Sequence, residues 1–151
     1  MAIRNVVKEG DPVLNKVCRP VEKFDERLIT LLDDMYETMK QYEGVGLAGP
    51  QVGILRRVFV IDIGDGVIDF VNPKILKTSG VQEENEGCLS CPGESGITRR
   101  PMYVTVEAYN RFGDRFTLNA EGLMAQAICH ENDHLDGILF KEHVIRKSEK
   151  L

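Results

Sequence analysis

Nowhere do the 151 residues of this chain string together the roughly 20 apolar side chains that a helix needs to cross a bilayer. The first residues, Met1-Ala2-Ile3-Arg4-Asn5-Val6-Val7, also lack the long apolar core of a secretory signal, so a cytoplasmic protein with no membrane partner is expected. Basic runs and arginine clusters are missing too. The formal charge of −5 is spread along the chain, which argues against direct sequence reading of nucleic acid and favours a small or peptidic substrate. No repeat or low-complexity tract occurs, and Pro and Gly punctuate the chain instead of gathering into a linker, so residues 1–151 are expected to form one domain around one core. Histidine is scarce, with three in all. The four cysteines, Cys18, Cys88, Cys91 and Cys129, are expected to be reduced, serving as ligands or core residues instead of disulfides.

Two of the three histidines fall in His130-Glu131-Asn132-Asp133-His134. On a helix, positions four apart share a face at about 5–6 Å, so both imidazoles can reach one ion. Glu131, rotated roughly 100° from His130, leaves a carboxylate beside that ion to take a proton from water. Leu123, Ala127, His130 and His134 recur at intervals of four, three and four, so the histidines are expected to point inward with an apolar stripe. One divalent ion would satisfy both buried rings.

A third ligand has to come from elsewhere. A three-histidine site would need a histidine at 140, where Phe140 stands, and the acids after His134 are limited to Asp136, Glu142 and Glu149. The cysteines of Glu86-Gly87-Cys88-Leu89-Ser90-Cys91 are the alternative: one thiolate would complete an open, three-ligand catalytic site. Both together would make a closed Cys2His2 structural site, although 38 residues separate Cys91 from His130 and such a site would leave Glu131 idle. The glycine-rich Gly44-Val45-Gly46-Leu47-Ala48-Gly49-Pro50-Gln51 lacks the Lys-Ser/Thr pair of a phosphate cradle. Its glycines instead permit backbone to approach an extended ligand closely, and Gln51 offers an amide to a developing oxyanion.

Local patterning predicts an α+β fold with antiparallel or mixed sheets packed around a helix in the C-terminal half, plus an N-terminal helix. Asp25 caps a helix running to about Tyr42, with Leu28, Leu31, Leu32, Met35, Tyr36 and Met39 as its core stripe. Strands are expected at 57–63 and 66–71, turning at Gly64-Asp65-Gly66, with Pro73 limiting the second. A hairpin pairs 102–109 with 115–118 through Asn110–Asp114. Asn119 is then expected to cap the second helix, about Ala120 to Leu135, which ends at Asp136-Gly137.

Three segments in this order, Gly44–Gln51, Glu86–Ser90 and His130–His134, resemble the peptide deformylase family, as does the opening turn Gly10-Asp11-Pro12-Val13-Leu14. The resemblance covers nearly the whole chain. It implies hydrolysis of the formyl group from N-formylmethionine at the start of nascent polypeptides, with formate released and transient contact with the ribosome. By that similarity Cys88, His130 and His134 hold the metal, Glu131 is the general acid/base, and Gln51 with the Leu89 backbone N–H binds the oxyanion. The native ion would be ferrous iron, with zinc, nickel or cobalt able to substitute. Gly44, Val45 and Gly46 would line the peptide site, with Leu123 and Cys129 beside the methionine side chain. Gly49, Cys91 and Cys129 depart from the residues usual in the family, and Ser95 stands where some members carry a substrate-gripping arginine; Arg100 is retained. Gly49 is expected to loosen the loop that positions Gln51. A non-catalytic metal-binding module, or an amidase taking another acyl group, is the alternative.

Overall fold

The computed structural model describes residues 2–147. Its first long element, α1 (Glu26–Gln41), starts where Asp25 accepts a hydrogen bond from the Leu28 N–H at 3.2 Å. Leu28, Leu31, Leu32, Met35 and Met39 are buried on one face, the expected stripe, against Leu47, Val58, Val60 and Val71. The strands are β1 (Gly46–Ala48), β2 (Val58–Ile61), β3 (Ile68–Ser79), β4 (Gln82–Cys88), β5 (Cys91–Arg100), β6 (Tyr103–Tyr109), β7 (Arg115–Glu121) and β8 (Val144–Lys147). Two antiparallel sheets result, one ordered β1-β2-β3-β6-β7 and a smaller one ordered β4-β5-β8. The second helix, α2 (Leu123–Leu135), touches β1, β2, β6 and β7 of the first sheet and β5 of the second. The fold is therefore α+β around the helix of the C-terminal half, as expected.

Three elements differ from the sequence reading. Pro73 does not end its strand: β3 runs on to Ser79, because the register slips between Val71 and Lys74 and the missing N–H falls in that irregularity. Asn72 there has φ +48°, and its side-chain amide clasps the backbone of Val21 at 2.7 and 2.9 Å. Asn119 does not cap α2, since β7 continues opposite β6 as far as Glu121 and the Asn119 side-chain Oδ1 accepts from Thr105 Oγ1. Gly122, at φ +60°, makes the turn into the helix instead. The β4–β5 hairpin, whose two-residue turn is Leu89-Ser90, leaves no periodic signal in the sequence, because its strands carry Glu, Asn, Gly and Ser in place of apolar alternation.

Candidate metal centre

Cys88 closes β4, and α2 carries His130 and His134 one turn apart, so the hairpin end lies over one face of the helix. The Cys88 sulfur and one nitrogen from each ring all lie within 4.8 Å of one another. Cys88 Sγ is 3.4 Å from His134 Nε2, and the two rings stand edge to face with centroids 5.0 Å apart. Cys91 goes elsewhere, since its sulfur groups with the carboxylates of Glu9 and Glu94. The closed Cys2His2 arrangement is thus not assembled among the described residues, and Glu149 lies outside them.

Glu131 is 4% exposed, with Oε2 3.9 Å from His130 Nε2 and Oε1 without a hydrogen-bond partner among the described residues. Burial pushes its carboxyl up to about 7. The neighbouring backbone is stripped of side chain: a Cβ at Gly46 would stand 2.5 Å from Glu131 Oε2, and one at Gly44 would stand 2.8 Å from the Leu89 side chain. Gln51 is fully buried. Its carbonyl accepts from Ala48 N–H at 3.0 Å, which turns the amide nitrogen toward Ser90 Oγ at 3.2 Å and Cys88 Sγ at 3.5 Å.

Beneath the histidines lies a buried ionic network to which the sequence reading gave no role. Glu86 Oε2 accepts from His130 Nδ1 at 2.5 Å, and Arg100 donates to both Glu86 oxygens and to Asp133 Oδ2. Thr98 Oγ1 adds a bond to Glu86 at 2.7 Å. Burial alone would raise the Glu86 carboxyl, but the hydrogen bonds from His130 and Arg100 outweigh it and hold it near 2. An ionised Glu86 holds a proton on His130 Nδ1 and leaves Nε2 facing the cluster, where a cation would take the place of its proton. No local signal marks the pair, since Glu86 and Arg100 lie in strands whose residues are mostly polar and exposed.

The donor set fits a divalent cation. One thiol and two imidazoles converge, the outer nitrogen of His130 is already satisfied, and Glu131 adds a buried carboxylate that a nearby positive charge would stabilise. Burial works against an imidazolium at both histidines. At His130 the charge of Glu131 and the bonds to Cys88 and Glu86 outweigh it, whereas at His134 burial and the charge of His130 act together to lower the pKa.

The site opens into a cleft of about 540 Å³ whose walls include Gly44, Val45, Gly46, Gln51, Leu89 and Leu123. Val45 and Leu123 are 43% and 50% exposed, and Leu123, although on the stripe that carries the histidines, opens the helix at the cleft mouth and is not a core residue. Cys129 is not in that wall. A helix turns about 100° per residue, and this carries it into the main core, where burial pushes its thiol up to about 11. Ser95 is exposed on β5 opposite Gly87. Gly49, expected to loosen its loop, is packed tightly instead: a Cβ there would meet the Ile54 and Arg56 carbonyl oxygens at 2.8 and 2.9 Å.

With this geometry in place, the similarity to known proteins is extensive. The family model for polypeptide deformylase matches residues 3–150. A peptide deformylase of Clostridium botulinum strain Alaska E43 is 56% identical over 147 residues, spanning 97% of this chain and all of that protein. The crystal structure of peptide deformylase from Thermotoga maritima superposes with a TM-score of 0.94 at 40% identity, covering 95% of this chain and 99% of that one. A peptide deformylase structure from Legionella pneumophila gives 0.92 at 45% identity, covering 95% and 86%.

Proposed function

The chain belongs to the polypeptide deformylase family, and from that premise we propose how its residues divide the reaction. The protein is a metal-dependent hydrolase that removes the N-formyl group from nascent polypeptides. The observation that carries the residue assignment is the convergence of Cys88, His130 and His134 within 4.8 Å, with Glu131 buried beside them. These three side chains would hold the ion, whose contribution when bound is Lewis acidity toward water and the formyl oxygen. Glu131 takes a proton from the attacking water and returns it to the amine nitrogen as the C–N bond breaks, a base and then an acid, placed for both by its burial beside the three donors. Gln51 Nε2 and the Leu89 N–H donate to the formyl oxygen as negative charge develops on it. Gly44 and Gly46 leave room for an extended peptide, and Val45 with Leu123 forms the apolar walls suited to an unbranched thioether.

Ferrous iron is the resident ion in this reading, supported by the family resemblance and by a thiolate with two imidazoles, a set that also accepts zinc. The whole chain acts as one domain, supported by the packing of both sheets on α2. The enzyme works in the cytoplasm with transient ribosome contact, a reading supported by its nascent-chain substrate. Among the described residues, no helix is long and apolar enough to cross a membrane.

The test is formate release from formyl-Met-Ala-Ser by anaerobically purified protein, with metal content measured in parallel and Glu131→Ala as control. Iron at one per chain with turnover abolished in the control is the expected result. Metal retained by a wild-type protein that releases no formate would overturn the catalytic assignment.

A further inference from the structure

A second concavity of about 700 Å³ shares no lining residue with the metal cleft. Its rim gathers Arg4, Arg19, Lys23, Arg27 and Arg56 from three separate stretches of chain. The backbones of Arg19 and Arg56 are joined by a parallel bridge, so two guanidinium side chains leave neighbouring points of one wall. Lys23 and Arg27 come from the approach to α1 and its first turn. The floor is apolar, formed by Leu28, Leu31, Ile54 and Leu55.

What separates Arg19, Lys23, Arg27 and Arg56 from the other arginines is the lack, among the described residues, of a carboxylate partner, Arg56 Nη1 donating only to the Leu55 carbonyl at 3.3 Å. Arg4 pairs with Asp34 at 3.0 Å, and Arg57, next to Arg56 in sequence, turns away to Asp136 and the Leu135 carbonyl. Among the described residues, no carboxylate pairs with Arg19, Lys23, Arg27 or Arg56. Two acids do line the concavity, Glu22 and Asp25, but the Asp25 carboxylate is committed to the Leu28 N–H. In a chain of net charge −5, four unpaired cations around one apolar-floored hollow are a local reversal of sign. Like charges held together cost free energy that an anionic ligand recovers. Several phosphates spaced along a chain match several cations spaced around a rim, and an apolar floor suits the face of an unpaired base.

We propose that this concavity is a docking site for the phosphodiester backbone of single-stranded RNA, separate from the catalytic cleft. It engages backbone charge and does not read sequence, in keeping with the absence of a recognition motif. The proposal rests on the ribosome-contact reading only for where such RNA would come from.

Binding of a fluorescein-labelled, unstructured 20-nucleotide RNA to the full chain, followed by anisotropy across a salt series, tests it. Neutralisation of four phosphates predicts that log K falls with log salt at a slope of about −3. Arg19→Gln/Lys23→Gln/Arg27→Gln should weaken binding at least tenfold and flatten that slope by about 2. Lys74→Gln/Lys77→Gln, on the exposed end of β3, should leave binding unchanged. Melting temperature and formate release from formyl-Met-Ala-Ser should be the same in all three proteins, which shows that the triple variant is folded. Undetectable RNA binding at low salt, equal weakening in both variant sets, or displacement of the RNA by equimolar ATP would overturn the proposal. The last result would mark a small-anion site. A wild type that binds RNA as described yet releases no formate would fail the deformylase reading alone.

Discussion

At the residue scale, the proposed roles separate side chains that would hold an ion from side chains that would act beside it. Cys88→Ser, His130→Ala and His134→Ala should each lose bound metal, whereas Cys91→Ser should keep it, because the Cys91 sulfur lies with Glu9 and Glu94. Metal-to-protein ratios check this, and a metal-free Cys91→Ser would restore the closed four-ligand site. Two buried glutamates should then behave differently. Glu131→Gln keeps the donor set intact but removes the group that moves the proton, so metal stays and kcat falls by about two or more orders of magnitude. Glu86→Gln acts through His130: it removes the charge that orients the ring, and metal affinity should drop roughly 10–100-fold. If both variants bind metal as wild type does, Glu86 does not orient the ligand.

At the scale of elements, the glycine-rich segment and the start of α2 form the working walls of the cleft. Gly49 sits against the carbonyl oxygens of Ile54 and Arg56, so Gly49→Ala should lower the melting temperature, by an amount corresponding to about 1–3 kcal/mol of overpacking. A melt unchanged from wild type would mean that the 54–56 backbone yields at no cost. Leu123, half exposed at the mouth, can change without opening a core cavity. Leu123→Arg should therefore stay folded and metal-loaded while KM for formyl-Met peptides rises sharply, since a cation then occupies the wall an apolar side chain must contact. Steady-state kinetics beside a thermal melt read the two effects apart. An unaltered KM in the folded variant would remove Leu123 from the methionine slot.

Across the whole molecule, the candidate metal centre joins two layers. Cys88 belongs to the smaller sheet and both histidines to the helix packed under the larger one, so an ion bound there ties the layers together. Removing it with a chelator should lower the melting temperature and make it depend on added metal, because binding to the native state alone adds about 2.7 kcal/mol at a hundredfold excess over Kd. Differential scanning calorimetry of metal-loaded and stripped protein measures this. Coincident transitions would show that the Glu86, Arg100 and Asp133 network holds the layers without the ion.

Features that depend on neighbours in sequence were legible in the sequence alone. The α1 stripe, the hairpin turn at Asn110–Asp114 and the histidine pair on α2 rest on periodicities and turn chemistry that act over a few residues, and these elements formed where expected. What tertiary structure decided were competitions between distant segments. Pairing with β6 carried β7 through Asn119 and moved the start of α2 to Leu123. A register slip let β3 pass Pro73, and the rotation of α2 sent Cys129 into the core. That the Cys88 sulfur and not the Cys91 sulfur groups with the histidines depends on which side of a hairpin faces the helix, which no spacing along the chain encodes. The sequence shows no basic cluster because Arg19, Lys23, Arg27 and Arg56 come from separate segments. Only the fold brings those charges to one rim, since electrostatic proximity is set by distance in space.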